Sequence, residues 1–124
     1  KREQRVGWVE QGFNFKGFVD MVGDGCRADI KTCADALKLK REMYYNDYKM
    51  QGAMYLENYP PNTKYYIIAV EKSIPYNIKV FKLGENMIEA GYLDYIDLVS
   101  KYKAWDGKPK GYSEEIEELA YNED

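Results

Sequence analysis

The chain has 124 residues, 45% of them apolar and 31% charged, with a formal net charge of −3. That is the composition of one soluble globular domain with a modest core, and it excludes a positive field over the whole molecule, so a nucleic-acid ligand needs a local basic patch or bridging metal ions. Histidine is absent, which excludes Ser-His-Asp and Cys-His nucleophilic chemistry within this chain, together with His-ligated zinc.

The two cysteines, Cys26 and Cys33, are too few for a disulfide framework or a four-ligand metal site. They read as reduced thiols of a cytoplasmic protein. No apolar run approaches the ~20 residues of a membrane span, and no signal-peptide pattern is present. Thirteen tyrosines decide nothing by number, because Tyr serves cores, interfaces and base stacking alike.

In chain order, residues 5–32 read as three strands. Val6, Trp8 and Glu10 alternate with Gly7 and Val9; Gly12 and Asn14 mark a turn; Phe15 to Val22 form the second strand; Gly23-Asp24-Gly25 turns the chain again and Cys26 to Lys31 return. Ala34 to Glu57 is helical in pattern, with Leu37, Tyr44, Tyr48, Gln51 and Tyr55 on one face. Tyr45-Asn46-Asp47 is a point at which it can divide in two, with Asp47 as a second N-cap, and Pro60-Pro61 ends it. Lys64–Lys72 reads as a strand covered on both faces, being almost wholly apolar, and Tyr76–Leu83 alternates. A long helix begins near Glu85, with Ile88, Tyr92, Tyr95, Ile96, Val99 and Tyr102 on one face, and stops before Asp106-Gly107-Lys108-Pro109. The order is βββ-α-ββ-α, a mixed β-sheet flanked by helices in an α/β domain. One domain is expected over 1–124, with an acidic tail, 106–124, whose YSEEIEELAYNED stretch suits a short helix or a loose strap.

The second hairpin carries the chemistry. With Asp24-Gly25 as the central pair of a type I′ turn, Gly23 pairs with Cys26, Val22 with Arg27, Met21 with Ala28 and Asp20 with Asp29. One face then holds Gly17, Val19, Met21, Cys26, Ala28 and Ile30, wholly apolar and expected in the core. The other holds Lys16, Phe18, Asp20, Arg27, Asp29 and Lys31. Two aspartates directly opposite one another are destabilising in a structural sheet, and a divalent cation relieves them, since Mg²⁺ or Mn²⁺ prefers hard carboxylate oxygens. The bland alternative is a solvated face in which Arg27 neutralises an acid.

Three pieces follow in order: Gly17-Phe18-Val19-Asp20 at a strand end, Asp29-Ile30-Lys31, and Gln51-Gly52-Ala53-Met54-Tyr55 on a helix. Together they resemble the PD-(D/E)XK nuclease superfamily, in its RecB-like branch, and look most like the RecE-like (exonuclease VIII) phage exonuclease domain over roughly residues 5 to 105. The resemblance implies a restriction-endonuclease-like fold and Mg²⁺- or Mn²⁺-dependent hydrolysis of phosphodiester bonds at the ends of linear double-stranded DNA, in phage or prophage recombination. It implies Asp20 and Asp29 as metal ligands with the Ile30 carbonyl as a third. Lys31 would polarise the attacking water, and Gln51 and Tyr55 would point back at the site. Lys38, Arg41 and Lys49 are candidates for holding phosphates. A homo-oligomer and a single-strand annealing protein are the partners that the resemblance implies, with no membrane association. Upstream helices that carry a further ligand in such domains have no counterpart here, so the chain is expected to be a fragment. Two other classes stay open: a nuclease fold that only binds DNA or protein, and a small interaction domain.

Overall fold

Two hairpin turns with different backbone geometry set the shape of the sheet. The computed structural model describes residues 2–45, 47–57, 59–108 and 116–121. In the first turn both Gln11 (φ 49°) and Gly12 (φ 84°) are left-handed, the combination that matches the natural twist of a hairpin. The flanking strands β1 (Arg2–Glu10) and β2 (Phe13–Gly23) pair along nearly their whole length, from Glu10↔Phe13 to Arg2↔Met21. In the second turn Gly25 is left-handed (φ 67°) and Asp24 is not. The expected type I′ turn is therefore not formed, and turns with one such residue at the second position splay the strands they join. β2 and β3 (Cys26–Cys33) accordingly pair at Gly23↔Cys26, Val22↔Arg27 and Met21↔Ala28, in the anticipated register, and the ladder then stops.

Beyond that point β3 continues alone against β4 (Lys64–Glu71), parallel from Cys26↔Lys64 to Cys33↔Glu71, and β4 pairs antiparallel with β5 (Ile78–Lys82). The sheet order is β1-β2-β3-β4-β5, with α1 (Ala36–Glu42), α2 (Tyr48–Tyr55) and α3 (Glu85–Ala104). The full order is thus βββ-α-α-ββ-α. The single helix expected over residues 34–57 divides where Tyr45 and Asp47 flank the break; Asp47 takes the N-cap position of α2 without a side-chain cap bond, whereas Asp35 caps α1 by accepting from the Leu37 N–H. The expected helix face is corrected too. Leu37 and Tyr44 are 70% and 60% exposed, and α1 instead buries Ala36, Leu39 and Met43, at spacings of three and four.

All three helices cover one face of the sheet. Trp8, Phe15, Tyr95 and Val99 form one cluster, with the Trp8 indole N–H donating to the Tyr95 hydroxyl at 2.8 Å; Tyr65, Ile67, Met43 and Leu83 form a second; Ala36, Leu39 and Ala69 form a third. On the opposite face Met21, Ile30, Ile78 and Val80 are exposed, so β4 is covered on one side only among the described residues, with Tyr66, Ile68 and Val70 half-buried. Of the acidic tail, residues 106–108 and 116–121 are described; Ile116, Leu119 and Tyr121 are exposed, and no helix forms there. Its other expected features, along with Asn46, Asn58 and Pro109, lie outside the described residues.

Candidate active site

Asp20 sits where the ladder of β2 is interrupted on both sides. Toward β3 the pairing has ended at Met21. Toward β1, Arg2↔Met21 and Gln4↔Val19 are paired but Glu3, between them, is left-handed at φ 45° and makes no pair. A non-glycine residue held there costs roughly 1–3 kcal/mol. The interruption also shifts the strand's alternation. Gly17 lies against the Tyr55 ring and Val19 is fully buried on the helix-covered face. Yet Arg27, whose register partner is Val22, faces the same layer and donates to the Tyr55 carbonyl. Val19 and Val22, three residues apart, therefore share a side.

That slip corrects the expected apolar core face. Gly17, Val19 and Ala28 are covered, but Met21 and Ile30 are 43% and 45% exposed, while the polar residues Arg27 and Asp29 are 2% and 6% exposed beneath α2. Strict period-two alternation fails at the residue that carries the first carboxylate.

The freed edge of β3 supplies Asp20 with its partners. The Ile30 backbone N–H donates to Asp20 Oδ2 at 2.8 Å, replacing the missing ladder bond. N–H and C=O of one strand residue point the same way in the sheet plane, so the Ile30 carbonyl also faces the gap. The Asp20 and Asp29 carboxyls are close enough for a hydrogen bond between them when one is protonated. Lys31 Nζ lies 2.6 Å from Asp29 Oδ2 and 5.1 Å from the centroid of the Tyr48 ring. Burial is the main force that raises the Asp29 carboxyl, to about 6, aided by the bond to Asp20 and opposed by Lys31. Asp20 is lowered, chiefly by accepting from Asp29, with the Ile30 N–H and the Lys31 charge adding to it. The two carboxyls are thus pushed in opposite directions, as crowded carboxyls are.

The structure brings Asp20, Asp29, Ile30 and Lys31 together. It places Gln51 half-buried in α2, one turn beyond Tyr48. The Tyr55 ring packs against Gly17 and edge-on to Trp8. Lys38 and Arg41 are exposed on α1, and Lys49 is tied to Asp94 of α3 at 3.3 Å. Two residues that the sequence reading named without assigning them to the site stand beside it. Tyr48 covers Lys31, and its place one turn before Gln51 was the available signal. Among the described residues Arg27 makes no ion pair with an acid; it stacks 3.0 Å over the Tyr59 ring, clamping the end of α2 to β3. Its Nε and the hydroxyl of Tyr65 are buried without a hydrogen-bond partner among the described residues.

Two carboxylates, a strand carbonyl and access to water suit a cation such as Mg²⁺, which keeps several waters and takes one or two carboxylates. No group of three or more His, Cys, Asp or Glu is assembled among the described residues, so a closed all-protein cage is not offered there. A cavity of 570 Å³ lined by Leu56, Tyr59, Tyr65, Leu83, Ile88 and Tyr92 lies elsewhere, at the C-terminal end of α2.

Among solved structures the chain is similar to a crystal structure named "Putative exonuclease", from Eubacterium rectale, with a TM-score of 0.70 and 16% identity. The match covers 82% of this chain and 43% of that one, so the chain spans less than half of its neighbour's length, and at this identity the likeness is one of fold. No curated protein matches the chain. No described helix is long and apolar enough to cross a membrane. The sequence pattern of one family matches residues 1–120, that of the PDDEXK-like domain of unknown function (DUF3799), and the chain belongs to that family.

Proposed function

We propose that this chain is the catalytic core of a divalent-metal-dependent deoxyribonuclease, acting on the ends of linear double-stranded DNA in a phage or prophage recombination setting. The observation that carries the reading is the contact set Asp20–Asp29–Lys31 at the splayed edge of β2 and β3. Family membership supports nuclease chemistry. The neighbour's name supports the exonuclease assignment.

Phosphodiester hydrolysis needs a placed water, stabilisation of a charge-rich phosphorane, and relief of repulsion between DNA and carboxylates. Asp20 and Asp29, with the Ile30 carbonyl, are the groups that would hold Mg²⁺ or Mn²⁺. The bound cation supplies Lewis acidity and lowers the pKa of its water. Asp29 would hold the cation in its ionised form, and Lys31, beside it, would direct its ammonium toward the water and the non-bridging phosphate oxygens. Tyr48 limits the lysine's rotamers from one side. Gln51 contacts the DNA end from α2, and Tyr55 acts by position, fitting its ring over Gly17 so that the strand carrying Asp20 lies close.

A second reading has one observation in its favour: among the described residues no third carboxylate joins Asp20 and Asp29 at this edge, which suits a nuclease fold that holds DNA without cutting it. Incubating linear duplex DNA with Mg²⁺ or Mn²⁺ separates the two. Cleavage by the wild-type chain, reduced by at least a hundredfold in Asp29→Ala and Lys31→Ala, is the expected result; oxyanion-type stabilisers commonly contribute about that much. Undiminished cleavage in either variant would sink the mechanism, and DNA binding without cleavage would establish the second reading.

A further inference from the structure

The α1 surface and the turn that follows it are not used by the chemistry above. With Ala36, Leu39 and Met43 buried against the sheet, the outer side of α1 presents Lys38, Lys40 and Arg41, all exposed and none in an ion pair among the described residues. Tyr44 and Tyr45 come next, 60% and 84% exposed. A solvated helix face accounts for the cations but not for two large rings held in water beside them. The turn is ordered by the backbone, since the Tyr44 N–H donates to the Arg41 carbonyl at 3.3 Å and the Tyr45 N–H to the Glu42 carbonyl at 3.0 Å.

Its position relative to the candidate site is fixed by Tyr48, whose ring centroid is 5.1 Å from Lys31 Nζ. Tyr48 lies three residue steps on from Tyr45, at most about 11 Å of extended chain, so the rings stand within a few nucleotides of any phosphate that Lys31 contacts. Aromatic rings interleaved with unpaired cations are the chemistry that grips single strands: the cations track phosphates and the rings stack bases.

We propose that Tyr44 and Tyr45 form a stacking subsite for unpaired bases of the strand being cut, with Lys38 and Arg41 on its phosphates. The proposal rests on the nuclease reading above and specifies its substrate: a DNA end with unpaired terminal nucleotides. Bases inside a duplex have both faces covered by their neighbours, whereas an unpaired base offers a free face to a ring.

The test is a titration of a single-stranded DNA oligonucleotide carrying 2-aminopurine, in EDTA so that nothing is cleaved, against the same sequence as a blunt duplex. Wild-type protein should bind the single strand more tightly and change the 2-aminopurine fluorescence. Tyr45→Ala should weaken binding about tenfold, the loss expected of one base stack, and abolish the fluorescence change, while Tyr45→Trp retains both. Lys38→Gln and Arg41→Gln should each lower the salt slope of binding by about 0.7. Circular dichroism checks that the variants, altered at exposed positions, keep the fold. Equal affinity and fluorescence in Tyr45→Ala, preference for the blunt duplex, or no oligonucleotide binding, as for a surface that serves a protein partner, overturns the subsite. Failure of the nuclease reading shows separately, as wild-type protein that leaves DNA uncut with Mg²⁺ and Mn²⁺.

Discussion

At the scale of single residues the informative group is Asp29. Its folded pKa lies above the ordinary carboxylate value because burial and the bond to Asp20 favour the protonated form. The linkage sign follows. A raised carboxyl contributes stability that is fully present below its unfolded value, near 4, and lost as pH rises through about 6. Asp20, lowered by its partners, acts oppositely and further down, losing its contribution only as pH falls below the ordinary range. Metal-free protein should therefore melt several degrees lower at pH 7 than at pH 5, and Asp29→Asn should flatten that slope, as read by calorimetry in EDTA. A slope unchanged in Asp29→Asn would assign it to another group. The register from Gly23↔Cys26 to Met21↔Ala28 was legible from the sequence, but the ladder stops before the expected Asp20–Asp29 pair, and the type I′ turn that was to set it is not formed. The Ile30 N–H that binds Asp20 was not legible, because a backbone donor carries no signature in side-chain order, and its release depends on how far the strands splay.

At the scale of elements, position is set by close backbone approaches. α2 carries Tyr48 and Gln51, and it crosses α3 where Gly91 is buried; a Cβ at Gly91 would overlap the backbone carbonyl of Lys49. Gly→Ala inside a helix ordinarily stabilises by ~1 kcal/mol. Here the overlap is with main chain and cannot be relieved by a rotamer, so Gly91→Ala should destabilise by roughly 1–3 kcal/mol, in the range of overpacked cores, and lower any cleavage through displacement of α2. Chemical denaturation measures the first effect, and a stabilised variant would refute the crossing as described. Element types were legible from periodicity: the strands and the long α3 stand where alternation and helical spacing put them. The face that each strand buries was less so. Period-two reasoning cannot see the slip at Asp20, which follows from a turn with one left-handed residue where the sequence pair Asp24-Gly25 suits two. The division of α1 from α2 was visible as an option, and tertiary packing chose Ala36, Leu39 and Met43 over Leu37 and Tyr44 as the buried stripe.

At the scale of the whole molecule, a net charge of −3 gives DNA no general attraction, so the carboxylate edge must be neutralised before a phosphate can approach it. Metal binding is then also a folding signal, because a cation that binds the native state and not the unfolded chain stabilises it by mass action. A cation at ten times its Kd adds about 1.4 kcal/mol, which for a chain of this size raises the melting temperature by about 5 °C. The gain should be large at pH 7.5 and small at pH 5, since Asp29 must ionise to bind the cation and resists doing so below about 6. Asp20→Asn is the decisive variant. Its amide oxygen can still accept the Ile30 N–H that Asp20 Oδ2 accepts at 2.8 Å, so the fold is kept while one charged ligand is lost. Melting curves with and without Mg²⁺ should show the wild-type gain vanish in Asp20→Asn with the metal-free melting temperature little changed. A variant that keeps the full gain places the cation somewhere other than the β2–β3 edge.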